Sequence, residues 1–101
     1  MSTLHTLSTN PHSLHPIQSF IDLMGETDEL LLLANGVYGA LVDAEISIPL
    51  GRLREPGRLY VLKDDLLARG IPASAPLQAS LISYEGFVDL VVKHQNTYNW
   101  A

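Results

Sequence analysis

Four histidines, His5, His12, His15 and His94, carry most of the scope for chemistry in this chain of 101 residues. His12 and His15 are three apart, so on a helix both imidazoles would share a face and could hold a metal, with His5 or His94 as a third ligand. Pro16 opposes this, because the residue before a proline is pushed out of the helical region. No carboxylate stands beside the pair either, and ordinary loop and surface histidines are the better account. A serine nucleophile needs a sharp strand-to-helix turn of the G-x-S-x-G kind. Ser13, Ser19, Ser47 and Ser83 have no such setting, and Ser83 reads as a helix cap. Asp64 and Asp65 form a carboxylate pair only on paper, since neighbours at a helix start point in different directions. Capping suits them better. The chain has no cysteine, which removes disulfides, thiolate metal sites and every thiol mechanism. No catalytic residue, metal site or cofactor site is expected.

One turn remains. In DELLLLANGVYGAL, residues 28–41, an apolar run leads into Asn35, Gly36, Val37, Tyr38 and Gly39. In open α/β folds ligands bind at such strand ends, and the backbone N–H groups there could cradle a phosphate. Both G-x-G-x-x-G and the phosphate-loop lysine are missing. The structural reading gives Gly36 the positive φ of a tight turn and lets Gly39 admit close helix–sheet packing.

The elements that must position these residues follow from periodicity. Residues 4–7 suit a short strand. Pro16 fits the first position of a helix, in which Ile17, Phe20, Ile21 and Met24 form one apolar stripe at i, i+3, i+4 and i+7, with Gly25 as C-cap. Residues 30–34 read as a strand buried on both faces, as in a parallel sheet. Val37, Ala40 and Leu41 suit a short helix packed back on it. Residues 43–57 are rich in proline and glycine and read as loop, with a short edge strand at 45–48. A buried strand resumes at 59–62. Asp64 or Asp65 caps a helix whose Leu66 and Leu67 face inward and which Gly70 ends. Leu81 and Ile82 mark another strand. Beyond Ser83, the spacing of Tyr84, Phe87, Val88 and Val91 predicts a last amphipathic helix, with Glu85 and Asp89 early and Lys93 late as the helix dipole prefers. Strands alternating with helices imply a single α/β domain over residues 1–101, with a mostly parallel sheet and helices on both faces.

Composition bounds the function. Apolar residues make up 47% of the chain and mean hydropathy is +0.14, high enough to leave apolar surface for a partner. A net charge of −5 argues against direct nucleic-acid binding, which needs clustered Lys and Arg; only Arg52, Arg54 and Arg58 lie close together. Residues 1–8 lack the basic start and apolar core of a signal peptide. The longest strongly apolar run, residues 30–34, is far shorter than the ~20 residues a bilayer requires. A soluble, cytoplasmic protein is expected.

Read together, LHTLS at residues 4–8, DELLLLANGVYGAL, LYVLKDDLLARGI at 59–71, ISYEGFVDLVVKH at 82–94 and the tail YNWA resemble the TusB and DsrH family of sulfur-relay proteins over nearly the full length. The resemblance implies a small Rossmann-like, three-layer subunit of the DsrE/DsrF/DsrH type within a heterohexamer of two copies each of three related chains. In the Tus pathway, TusB, TusC and TusD together pass persulfide sulfur from TusA toward TusE, ending in the 2-thiouridine of the tRNA wobble position. In sulfur oxidisers a DsrE–DsrF–DsrH complex performs a related transfer. DsrH-type members carry a cysteine in the first helix, a position taken here by Phe20. The chain therefore looks like the TusB type, which carries no sulfur itself.

Three functional readings follow. The first is a non-catalytic assembly subunit with TusC-like and TusD-like partners, serving TusA-like and TusE-like carriers indirectly. In it Val37 and Tyr38 present an apolar face to a neighbouring subunit. The second is a DsrH-like subunit of a sulfur-oxidation complex. The third is an independent small-ligand module using the turn at 35–39. Self-association in isolation is compatible with all three.

Overall fold

The computed structural model describes residues 2–9, 21–40, 57–72 and 79–100. Five strands form one sheet: β1 (Thr3–Leu7), β2 (Glu29–Leu32), β3 (Leu59–Leu62), β4 (Ser80–Ile82) and β5 (Asn96–Asn99), in the order β4-β3-β2-β1-β5. Every pairing among them is parallel. Between β2 and β3 lies a 3-10 helix, Ala34–Ala40. Helix α1 spans Lys63–Ala68 and helix α2 spans Tyr84–Lys93.

The central strands explain the apolar run. Leu30, Leu31 and Leu32 are all fully buried, because β2 lies between β1 and β3 and is covered on both faces. Leucine has little intrinsic preference for strands, and burial on both faces overrides that. Alternation divides the core in two. Leu7, Leu30, Leu32, Leu59 and Val61 meet Ile21, Val37, Leu66, Ile71 and Trp100 on one face. Leu4, Leu31 and Leu62 meet Leu90, with Phe87 and Ile82 packed alongside, on the other.

Handedness explains which helix goes where. The chain steps from β1 to β2, β3 and β4 in one direction across the sheet and then returns to β5 beyond β1. Right-handed crossovers place all the forward connections on one face and the single return connection on the other. Accordingly Val37 of the 3-10 helix and Leu66 of α1 share the first core, whereas α2, which leads to β5, packs on the second.

Several expectations need correction. Leu66 is buried but Leu67 is exposed. No side chain caps α1 at its N-terminus; the Asp65 carboxylate instead accepts a hydrogen bond from Ala34 N–H at 2.7 Å. Gly70 does end that helix in the left-handed region, at φ 72°. Ser83 caps α2, its hydroxyl accepting from Gly86 N–H at 3.2 Å. The apolar spacing that predicts α2 lies largely outward: Tyr84, Val88 and Val91 are exposed, while Leu90 is buried and Phe87 half-buried. Of the first predicted helix, residues 21–22 are helical, Ile21 is buried and Met24 packs on the core. Gly25 stands beyond that helical end, its N–H donating to Asp28. Pro16, Ile17, Phe20 and the edge strand at 45–48 lie outside the described residues.

Candidate functional site

The turn after β2 is built by close approach. A Cβ on Gly36 would lie 1.9 Å from the Leu7 carbonyl oxygen and 2.8 Å from its carbon, so only glycine fits where β1 and the 3-10 helix touch. The positive φ assigned to Gly36 belongs instead to Ala34, at 48°. A non-glycine residue there is uncommon, and two bonds hold it. Ala34 N–H donates to Asp65, and Gly36 N–H donates to the Leu33 carbonyl at 2.8 Å. Arg69 braces the same turn, donating from Nε to Asn35 Oδ1 at 2.9 Å and from Nη1 to the Asp65 carbonyl at 3.0 Å. Two N–H groups that could face an anion are thus committed, and the Asp65 carboxylate beside them repels one. The turn is a poor phosphate cradle.

Val37 and Tyr38 part company. Val37 is fully buried in the first core, so it contacts its own sheet and offers no surface to a partner. Tyr38 is half-buried against that core and keeps part of its ring outside.

The buried polar groups lie at the opposite ends of the strands, and the sequence reading did not find them. Asp28, just before β2, accepts from Thr3 N–H, from Gly25 N–H and from His5 Nε2, each at 2.9 Å. Trp100 Nε1–H donates to His5 Nδ1 at 2.8 Å. Indole can only donate, so Nδ1 carries no proton, and Nε2–H points at Asp28. Both ring nitrogens are occupied, and His5 is a structural link from β1 to the segment after β5. Burial opposes ionisation of Asp28 and is the largest single influence on it. The hydrogen bonds from Gly25, His5 and Thr3 together outweigh it and hold its pKa below the ordinary value.

Glu29 faces the other side of the sheet, paired in register with Leu4. Its Oε2 accepts from Tyr60 O–H at 2.7 Å, and its Oε1 accepts from His94 Nε2 at 2.7 Å and Lys93 Nζ at 2.9 Å. His94 Nδ1 meets the Ser2 hydroxyl at 2.8 Å. Burial again raises the Glu29 pKa most, and the bonds from Tyr60, Lys93 and His94 bring it below normal. Burial, followed by the bond to Glu29, pushes the Tyr60 phenol up to about 12. Each carboxylate accepts three hydrogen bonds and has little access to solvent, which suits clamps between strands rather than general bases. The one signal in the sequence was the acidic pair Asp28-Glu29 at the mouth of an apolar run.

The two described histidines therefore do not converge. His5 and His94 serve separate networks on opposite faces, and His12 and His15 lie outside the described residues, as do Ser13, Ser19, Ser47 and Phe20. Among the described residues no cluster of three metal-ligating side chains forms, and no helix is long and apolar enough to cross a membrane. Of the loose arginine group, Arg58 is spent on the backbone carbonyls of Asp28 and Gly25.

Comparison with known proteins gives this arrangement its relatives. Residues 9–97 match the family described as DsrH like protein. The chain belongs to that family. It is 38% identical over 97 residues to Protein TusB of Yersinia pestis (strain Pestoides F), covering 96% of this chain and 99% of that protein. The same figures hold for Protein TusB of Yersinia pseudotuberculosis serotype O:1b. The solution NMR structure of protein Tm0979 from Thermotoga maritima superposes with a TM-score of 0.64 at 29% identity, over 90% of this chain and 92% of that one. Protein MTH1491 from Methanobacterium thermoautotrophicum, described as of unknown function, shares the fold at a TM-score of 0.72 and 17% identity, over 97% and 96%. The mostly parallel sheet with helices on both faces is thus the fold of this family's structural neighbours.

Proposed function

We propose that this chain is a non-catalytic, cytoplasmic assembly subunit of a sulfur-relay complex of the TusBCD kind. In it a heterohexamer with TusC-like and TusD-like chains moves persulfide sulfur from a TusA-like donor toward a TusE-like acceptor and the 2-thiouridine of the tRNA wobble position. One observation carries the reading: a chain 38% identical to proteins named TusB over almost its whole length contains no cysteine. In each relay step a thiolate attacks the terminal sulfur of the donor's persulfide, the S–S bond breaks, and the donor departs as thiolate. This chain can supply neither partner in that exchange, so the carrier cysteine belongs to another subunit. Phe20 would stand where a sulfur-carrying relative has its thiol. Tyr38 is the turn residue left to touch a neighbouring chain.

The match to the DsrH-like family supports a second reading, a place in a sulfur-oxidation complex. Deleting the gene in the source organism separates the two. Loss of wobble 2-thiouridine from digested tRNA, restored by re-expression, is the expected result. Unchanged thiouridine with impaired sulfur oxidation would replace the first reading by the second. An independent ligand-binding module is disfavoured by Asp65 at the turn. A melting-temperature shift with nucleotides or phosphorylated metabolites at millimolar concentration would revive it.

A further inference from the structure

The outer side of α2 is apolar where a helix on a small soluble fold is ordinarily polar. Tyr84 is 54% exposed, Val88 58%, Val91 40% and Val92 78%. At 3.6 residues per turn, Tyr84, Val88 and Val91 fall on one line at i, i+4 and i+7. Glu85, Asp89 and Val92 fall on the adjacent line with the same spacing. The sheet-facing residues are Leu90 and Phe87, so the exposed stripe is not needed to close the core. Exposed single apolar residues are ordinary, but four on a helix of 10 residues form one patch.

Charge decides what can cover it. Glu85 and Asp89 run along one flank of the stripe and are exposed, and neither is ion-paired among the described residues. The only basic residue of α2 is Lys93, whose Nζ is already turned to Glu29 at 2.9 Å. If a second copy packed its α2 antiparallel on this stripe, each flank would face itself, setting Glu85 and Asp89 against their own counterparts. Like charges placed across an interface are repulsive, and the net charge of −5 on each chain adds to that.

We infer that the outer face of α2 is the docking surface for a different chain, whose contact patch is apolar at its centre and carries Lys or Arg along the side that meets Glu85 and Asp89. The inference rests on the proposed subunit role and identifies the surface and the partner's chemistry. The purified chain is titrated against co-expressed TusC-like and TusD-like chains of the same organism, with melting of each variant measured in parallel. Wild type is expected to bind, more weakly as salt rises from about 50 to 500 mM. Val88→Asp should weaken binding at least about tenfold with melting nearly unchanged. The double variant Glu85→Lys/Asp89→Lys should weaken binding similarly and abolish the salt dependence. Should Val88→Asp unfold, Val92→Ser at the most exposed position takes its place. Wild-type binding that these variants leave intact overturns the surface while the subunit role stands. No wild-type binding overturns both. A homodimer of this chain that Val88→Asp dissolves and salt strengthens makes the occupant a second copy and overturns the inference.

Discussion

Asp28, Glu29 and Gly36 show how far single residues carry this fold. Gly36→Ala should be costly, because the new methyl meets backbone atoms of Leu7 that cannot rotate away. A loss of about 3 kcal/mol or more, at the upper end for overpacking, is expected in denaturant melts; an unchanged midpoint would refute the close approach. The two carboxylates predict a sign for pH dependence. Their folded pKa values lie below the ordinary 3.8 and 4.5, so folding favours the ionised forms. That stability is complete above about pH 5 and is lost as pH falls through the folded values. Urea midpoints should therefore drop on acidification, and Asp28→Asn should lower the midpoint at neutral pH while flattening the acid limb. A midpoint that rises toward pH 3 would contradict the clamps. The carboxylate networks are not legible in the sequence beyond the acidic pair itself. A carboxylate beside a leucine run looks like a strand boundary until the register brings His5, Tyr60 and His94 to it from residues far away in the chain.

Among the elements, the inner strands are legible, β5 at Asn96–Asn99 is not anticipated at all, and the last helix is legible in extent and cap but not in which side faces inward. The run at 59–62 reads as a strand and is one, and Ser83 and Gly70 mark the helix ends they were expected to mark, because caps are local chemistry. The strand expected at residues 30–34 runs instead over Glu29–Leu32: Glu29 joins it through partners elsewhere, and Ala34 already belongs to the 3-10 helix. Helix α2 misled for a non-local reason. Its spacing announces an apolar stripe, but which side meets the sheet depends on strand order, and here Leu90 and Phe87 face inward. In the isolated chain Leu90→Ala should cost about 2–5 kcal/mol, whereas Val88→Ala should stay within about 0.5 kcal/mol, as surface changes do. Equal losses at both positions would show the stripe to be core. Tyr38 is intermediate. Tyr38→Ala should lower the melting temperature modestly, because the ring packs on the first core, and should weaken assembly of the folded fraction with partner chains. Lost stability with unchanged assembly would confine Tyr38 to its own core.

At the scale of the whole molecule, a family fold is joined to a missing thiol. The parallel sheet and the two-sided helix cover are those of the DsrH-like family's structural neighbours. Yet among the described residues both buried histidines, both buried carboxylates and the post-β2 turn are committed to internal bonds. Among the described residues, what is left over is surface: an exposed tyrosine-valine face on α2 and part of Tyr38. In the subunit role proposed above, such a chain contributes to sulfur transfer by being present in an assembly. As long as it carries no cysteine, desulfurase and labelled cysteine should leave no reducible mass of sulfur on it. The most direct test of the proposed role is native mass spectrometry of this chain co-expressed with TusC-like and TusD-like chains of the same organism, alongside those chains expressed without it. A complex with equal copies of all three chains, and incomplete assembly of the other two alone, is expected. Full assembly of the partners without this chain, with this chain recovered separately, would contradict it.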